Sequence, residues 1–293
     1  MNRPFETIAC FALLSLTIGT PLAAQPPIWD PTFGAELTEL TGTDDDEVPV
    51  ALSFPFPYEG FEYTTVFVGA NPCVQLGTLG DDGSILEYWR FFDLFYADDD
   101  GVGDPEPLIC PLNTDTDLGL EGTVHFKDLG NRAVFTWNEV GTHEQPTHLL
   151  TFQLQLFDDG TIVFGFNGIL DGEGEDLIES LFDGIVVGIS LSDGTFPTPE
   201  ANPWDFSSGG PLLVGDTAYE RWCGDTEDSC GEGGDDGFEG PTNAAFDLDQ
   251  RNVVFQPFPG GGFLVSDQLE DVSTIFSDGF ESGDITAWSS TSP

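Results

Sequence analysis

Apolar and polar residues alternate along much of the chain, which is the pattern of β-strands that bury one face. The first example begins at residue 48, where alternate positions share an apolar face made of Val48, Val50, Leu52 and Phe54. Pro55 and Pro57 cannot donate backbone hydrogen bonds, so they place this strand at a sheet edge or end it. Gly60 permits a sharp corner, after which the aromatic and β-branched residues 63–68 predict a second strand.

The same period returns later in the chain, and Gly, Asp, Asn and Pro separate the runs. The clearest run is 150–156, where Leu and Phe alternate with Thr and Gln. Only residues 176–182 have helical spacing, over about two turns. This pattern predicts an all-β fold, an antiparallel β-sandwich with acidic loops and at most one short helix. The other predicted strands are 123–127, 133–140, 161–166, 185–190, 252–258 and 262–266.

We expect three parts along the chain. Residues 1–24 have the features of a signal peptide, with Arg3 as the positive end, 8–18 as the apolar run and 22–24 as the small-residue cleavage site. The apolar run is shorter than the roughly 20 residues that span a bilayer. Residues 25–266 are predicted to form the β-sandwich domain and 267–293 a C-terminal tail. The protein is therefore expected to be secreted or at the cell surface, with no membrane span.

Four cysteines remain after the predicted signal peptide, and an even number in an exported protein favours disulfides. Cys223 and Cys230 are close in sequence and are expected to clip an acidic insertion at residues 216–240. Cys73 and Cys110 would form the second pair, although four cysteines allow three connectivities. A zinc site is disfavoured because the cysteines lack a two-residue spacing and have no histidine cluster beside them.

The formal net charge is −47, from 53 acidic residues against six basic ones. Nucleic-acid binding requires the opposite sign, and an anionic membrane surface is disfavoured for the same reason. Three interpretations remain open. In the first, the charge keeps the surface soluble, including in a saline habitat. In the second it binds calcium, and in the third it attracts a cationic or cation-bridged polymer.

The acidic loop at residues 98–104 predicts a calcium site, because its carboxylates alternate and a glycine follows them. It resembles the calcium loops of thrombospondin type 3 repeats. An EF-hand is excluded because Ile109 stands at the twelfth position, where a glutamate is required. A second acidic loop, at residues 113–117, would complete a shared site if the two loops meet. The alternative is that both loops are solvated turns without a metal. The candidate calcium ligands are Asp98, Asp100, Asp104, Asp115 and Asp117.

Catalytic motifs are missing from the sequence, which predicts a protein that is not an enzyme. His143 and His148 are five positions apart with a proline between them, whereas a zinc-protease helix needs histidines four apart. No Gly-x-Ser-x-Gly elbow, phosphate loop or dinucleotide fingerprint is present. The alternative is a carbohydrate-binding protein or a glycoside hydrolase with paired carboxylates, since spacing in sequence does not reveal such pairs. Trp89, Trp204 and Trp222 would then stack on sugars, unless they pack in the core.

Several segments resemble nidogen-like extracellular domains in the same order. Residues 54–60 followed by 63–71 resemble the opening corner and strand, and later segments resemble the strands that follow, at 107–115, 122–140 and 151–164. Pro72 and Cys73 stand where that family has glycine, and Cys110 where it has a small or apolar residue. A disulfide between two strands would account for both departures. The tail residues 278–284 resemble a short motif that recurs in secreted bacterial proteins.

This resemblance implies an exported β-rich module of the kind found in matrix, adhesion and bacterial surface proteins, and it carries no catalytic residues. The expected function is that of a secreted or cell-surface β-sandwich, non-enzymatic, adhesive or matrix-associated and stabilised by calcium. Its expected partner is an extracellular polymer, a glycan or a surface protein.

Overall fold

The computed structural model describes residues 28–77, 107–143, 146–169, 185–190, 204–208, 211–215, 217–222 and 246–268. Within these ranges, two antiparallel sheets of eight and six strands form a sandwich, and the helical structure is the short 3-10 helix Phe206–Ser208. The prediction of an all-β antiparallel sandwich is confirmed. The predicted helix at 176–182 lies outside the described residues.

The larger sheet has the strand order β1-β6-β7-β8-β9-β13-β14-β11. Its strands are β1 (Ala35–Glu36), β6 (Thr123–Asp128), β7 (Arg132–Gly141), β8 (Leu149–Phe157), β9 (Ile162–Phe166), β11 (Leu212–Val214), β13 (Asn252–Pro257) and β14 (Phe263–Ser266). The smaller sheet has the order β12-β10-β5-β4-β3-β2. Its strands are β2 (Glu47–Tyr58), β3 (Phe61–Gly69), β4 (Val74–Leu76), β5 (Leu108–Asn113), β10 (Ile185–Ile189) and β12 (Ala218–Trp222).

Strand β2 follows the predicted alternation, with its even-numbered residues buried and most of its odd-numbered residues exposed. It is the edge strand of the smaller sheet, as its prolines require. The corner to β3 consists of Glu59 and Gly60, whose φ angles are 50° and 83°. Positive φ at both central residues is the geometry of a two-residue hairpin turn.

Large aromatic side chains fill the space between the sheets. Trp137 stacks on Phe152 with ring centroids 5.4 Å apart, and Phe164 meets Phe255 edge to face at 5.3 Å. Trp222 is 1% exposed and packs against Phe246 in the same core. Trp222 is therefore a core residue and not a sugar-stacking one, because its ring is out of reach of a ligand.

Residues 28–34, which we call the N-terminal strap, lie across the outer face of the larger sheet. The strap runs roughly perpendicular to the strands, since its contacts pass from Asn252 on β13 to Lys127 on β6. It covers a row of neighbouring outward-facing residues, so polar groups that would otherwise face solvent are buried. These residues are Asn252, Gly165, Gln153, Thr136 and His125.

A disulfide joins Cys73, just before β4, to Cys110 in β5. Cys223 and Cys230 lie outside the described residues, as do the predicted signal peptide and the tail beyond residue 268. Residues 218–222, at the start of the segment that we expected to be an insertion, form β12 and pair with β10. Most of the rest of that segment also lies outside the described residues.

Candidate functional site

Acidic side chains from two loops and a histidine from a third meet at one end of the sandwich, which we call the acidic end. It consists of Asp44 and Asp45 before β2, Asp115 and Asp117 after β5, and His143 after β7. β2 begins at this end and β5 and β7 finish there, so antiparallel pairing brings together loops that are distant in sequence.

Backbone hydrogen bonds hold the loops after β5 and β7 side by side. The His143 amide donates to the Asp115 carbonyl at 2.9 Å, and the Asp117 amide donates to the Gly141 carbonyl at 3.1 Å. Thr116 and Thr142 form an isolated antiparallel bridge between these two contacts. The two loops therefore continue the pairing of a sheet for a few residues, which fixes their side chains relative to each other.

Asn71 links the first loop to the second, and its side chain is fully buried. Its Nδ2 donates to Asp45 Oδ1 at 3.0 Å, and its Oδ1 accepts from the Thr116 amide at 2.9 Å. Thr116 Oγ1 in turn donates to the carbonyl of Ala70 at 2.8 Å. These hydrogen bonds give the Asn71 amide an architectural role. Asn71 is the last residue of the segment that resembles the nidogen-like corner.

The charged atoms at the acidic end lie close enough to share one cation. One oxygen each from Asp44, Asp45 and Asp115 lie within 4.8 Å of one another, and so do ligand atoms of Asp44, Asp117 and His143. Asp44 belongs to both groups and is therefore the centre of the cluster. A Ca²⁺ ion takes six to eight oxygen ligands at 2.3–2.6 Å. Carboxylate oxygens within 4.8 Å of one another can therefore contact the same ion.

Carboxyl pKa values are raised at this end. The pKa of Asp44 is raised by burial and by the neighbouring charges of Asp117 and Asp45, while His143 opposes the shift. The pKa of Glu47, the first residue of β2, is raised to about 7 by burial and by Asp46. Within the described residues, Glu47 Oε2 is buried and accepts no hydrogen bond. Negative charge is thus in excess at this end, and a bound cation would relieve the repulsion.

Two of the five predicted calcium ligands, Asp115 and Asp117, lie at the acidic end. Asp98, Asp100 and Asp104 lie outside the described residues. The sequence interpretation did not assign Asp44, Asp45, His143 or Asn71 to the site. The run of acidic residues at 44–47 was the available signal for Asp44 and Asp45, but nothing in sequence pairs that run with a loop about 70 residues later.

A cleft of about 310 Å³ lies where the β2–β3, β8–β9 and β13–β14 turns meet. Its walls are mainly apolar, with the carboxylates of Glu59 and Asp159 among the lining groups. Tyr58 is a fixed wall, because its hydroxyl donates to the Ser190 carbonyl at 2.9 Å. The other lining residues are Pro57, Gly60, Pro257, Phe258, Gly261, Gly262 and Phe263.

The tryptophans that were candidates for sugar stacking do not line this cleft among the described residues. Trp204 is partly buried against the core and Trp222 is buried within it. Trp89 lies outside the described residues. An aromatic platform for a sugar at this cleft would therefore depend on the half-buried Phe258, because Tyr58 and Phe263 are only 2% and 3% exposed.

Comparison with known proteins gives one match. The protein-family model described as NIDO related matches residues 22–199, which is more than half of the chain. No curated protein and no protein of solved structure matches the chain significantly. In the parts of the chain that the structure describes, no helix has the length and apolar character needed to cross a bilayer.

Proposed function

Because the chain belongs to the NIDO-related family, we propose that it is a non-enzymatic module of the cell surface or the extracellular space, adhesive or matrix-associated, whose acidic end binds Ca²⁺. Domains of this kind are generally non-catalytic. The observation that carries the proposal is the convergence of Asp44, Asp45 and Asp115 from two loops onto one point.

Electrostatics supports a cation at the acidic end. Burial, and after it the like charges of Asp117 and Asp45, raise the pKa of Asp44, and a bound cation would offset both effects. Oxygen donors favour a hard divalent ion, and exported modules bind Ca²⁺ with dissociation constants of about 10⁻⁴–10⁻³ M. His143 is the one nitrogen donor in the cluster, and softer metals such as Zn²⁺ would depend on it.

Thermal unfolding of residues 25–293 tests calcium binding directly. We expect a higher melting temperature in millimolar Ca²⁺ than in chelator at matched ionic strength. Binding to the native state at 100 times the dissociation constant adds about 2.7 kcal/mol of stability. The D44N/D115N variant should lose this calcium-dependent shift, because it removes one carboxylate from each of the two loops.

A charge-matched control separates specific binding from screening. The E62Q/D158N variant removes two exposed carboxylates that are not part of the acidic end. It should keep the full calcium-dependent shift. An equal loss of the shift in both variants, or none in either, would show that the acidic end is not the site.

The adhesive role has its own test. The purified chain would be applied to extracellular polymers, glycan arrays and intact cells, with and without Ca²⁺. Binding that depends on Ca²⁺ and is lost in D44N/D115N is the expected result. If no surface retains the protein under either condition, the adhesive part of the proposal is wrong even if calcium stabilises the fold.

A glycan is the second candidate ligand, and the cleft beside Glu59 favours it. Aromatic and proline surfaces next to carboxylates are typical of sugar-binding sites, since sugars offer both apolar faces and hydroxyl donors. The test is a titration of oligosaccharides monitored by tyrosine and tryptophan fluorescence, with D159N as the variant. Saturable binding that D159N weakens would support this candidate, and binding that D159N leaves unchanged would place the sugar elsewhere.

A further inference from the structure

The N-terminal strap is held as a peptide ligand is held, by side chains of the sheet that bind its backbone. The Ile28 amide donates to Asn252 Oδ1, and the Ile28 carbonyl accepts from Asn252 Nδ2 and from Gln155 Nε2. Two residues later the Asp30 amide donates to Gln153 Oε1 while its carbonyl accepts from Gln153 Nε2. Backbone donors and acceptors are therefore satisfied at alternate positions, as in an added strand.

Side chains give the strap its selectivity. Both oxygens of Asp30 lie 2.9 Å from Lys127 Nζ, and Arg132 is 3.6 Å from Oδ2. These are two of only six basic residues in the chain. Although burial raises the pKa of Asp30, the hydrogen bonds from Lys127 and Thr32 lower it overall. The groove thus contains a cationic pocket suited to a carboxylate.

Apolar contacts flank that pocket on both sides. A Cβ at Gly165 would lie 3.3 Å from the Trp29 ring, so the indole packs directly on the sheet backbone. Phe33 packs on His125 with ring centroids 5.7 Å apart. The face therefore fits an extended segment with an aromatic residue, then an aspartate, and a second aromatic three positions later.

Polar groups under the strap are not all satisfied by it. Among the described residues, Gln155 Oε1 and Thr136 Oγ1 are buried without a hydrogen-bond partner, and these side chains are 1% and 0% exposed. Gln155 projects from the face that the strap covers, and Thr136 pairs in register with Gln153 of that face. Within the part of the chain that the structure describes, the strap therefore leaves two buried polar atoms of the sheet without a hydrogen bond.

We propose that this outer face is a peptide-binding groove and that two copies of the chain exchange their N-terminal straps through it. The strap joins the body at Gly34, whose φ of 92° and close approach to the Phe126 carbonyl require glycine. The predicted cleavage before Gln25 would leave Ile28 three positions from a free end. Exchange of an identical terminal element is a low-cost route to a dimer, and it goes beyond the calcium-binding function proposed above.

Charge reversal tests exchange in the full mature chain. In D30K the strap carries a cation that Lys127 and Arg132 repel, and in K127D the groove carries an anion that Asp30 repels. Each variant alone should be monomeric, because a homodimer repeats the same repulsion. Mixed together, they restore one Asp30–Lys127 pair and create one reversed pair. We expect a 1:1 complex of twice the monomer mass by size-exclusion chromatography with light scattering.

The double variant D30K/K127D is the matched control. It restores attraction between strap and groove as in the wild type, so both proteins should be dimers, and its melting temperature should exceed those of both single variants. A mixture of the single variants that stays monomeric would overturn the exchange. A complex formed as readily by either variant alone would also overturn it, since that association would not depend on the strap.

A labelled peptide of residues 25–33 provides a second readout that tolerates a poorly folded variant. Fluorescence polarisation should show binding to D30K, or to the milder D30N, at least about tenfold tighter than to the wild type, whose own strap competes at high effective concentration. The same peptide with lysine in place of its aspartate should bind neither. Equal binding of both peptides, or of neither, would contradict a groove that selects this segment.

Discussion

Glu220 is a buried carboxylic acid in β12, with 7% of the residue exposed. Burial raises its pKa to about 8; the hydrogen bond from the Phe206 amide opposes this shift, and Asp247 and Asp205 add to it. The folded pKa is above the unfolded value of 4.5, so the native state binds more protons between these two values. Stability therefore falls as the pH rises from about 4.5 to about 8.

We predict that E220Q is more stable than the wild type above pH 8, by on the order of 2 kcal/mol, and close to it near pH 4.5. Glutamine keeps an acceptor for the Phe206 amide without the charge that burial penalises. Urea unfolding at the two pH values measures the difference. E36Q, at an exposed position, is the control and should show no such pH dependence, whereas a destabilised E220Q at high pH would contradict the prediction.

Tyr58 shows how one hydroxyl connects distant segments of the smaller sheet. Its ring packs on Phe263 of the opposite sheet at 5.7 Å, while its hydroxyl donates to the carbonyl of Ser190, just after β10. Burial raises its pKa well above the ordinary value, so the hydroxyl stays protonated and able to donate.

The Y58F variant should lower the free energy of unfolding by about 1 kcal/mol, because it leaves the Ser190 carbonyl without this donor and keeps the ring packing. The denaturation midpoint should fall while the m-value stays constant, since the buried area is unchanged. Replacing Tyr58 by leucine should cost more, as it also removes the aromatic contact. A midpoint for Y58F equal to the wild type would show that water replaces the hydroxyl.

Strands β4 and β5 form the element on which the acidic end depends. They pair through Val74 and Ile109, and the disulfide between Cys73 and Cys110 ties them beside that pair. The disulfide closes a sequence separation of 37 residues, including 29 that the structure does not describe. A covalent link over such a span reduces the entropy of the unfolded chain.

We predict that C73A/C110A lowers the free energy of unfolding by about 2–4 kcal/mol. Asn71, which joins two loops of the acidic end, lies two positions before Cys73, so the variant should also bind Ca²⁺ more weakly than the wild type. Calorimetry with and without Ca²⁺ measures both effects. Reduction of the wild type should reproduce them, and a variant as stable as the wild type would contradict the role assigned to the bridge.

Across the whole molecule, charge repulsion acts on every acidic residue at once. A formal net charge of −47 destabilises the compact state through self-repulsion, and salt screens it with a Debye length of about 10 Å at 0.1 M. Calcium at one site and screening over the whole surface are separable, because only the second responds to any monovalent salt.

We predict that sodium chloride raises the melting temperature of the wild type and of D44N/D115N alike, in chelator. The rise should continue to molar salt, where the Debye length is about 3 Å. Potassium chloride should give the same curve, since screening does not distinguish the two cations. A salt response confined to the wild type would mean that the cation occupies the acidic end and does not merely screen the surface.

The strands were predictable because their information is local. Alternation at 150–156 and at 162–166 appears in the structure as β8 and β9, and the proline-bearing strand β2 lies at a sheet edge. The acidic end was predictable only in part. Asp115 stood out in sequence, but Asp44 beside it and Asn71, which accepts from the next amide at Thr116, come from other segments, and the pairing order of two sheets decides which loops meet.

By itself the sequence determined the fold class, the main strands, the acidic surface and the family resemblance, because periodicity, composition and motif order are properties of neighbouring residues. The proximity of Asp44 to Asp115 and the path of residues 28–34 across the outer face of the larger sheet depend on tertiary structure, which also selects the expected Cys73–Cys110 pair from the three connectivities left open. No periodic pattern of apolar residues in the sequence indicates the strap. Its conformation is held by side chains from β6, β7, β8 and β13, and such contacts exist only after those strands have paired.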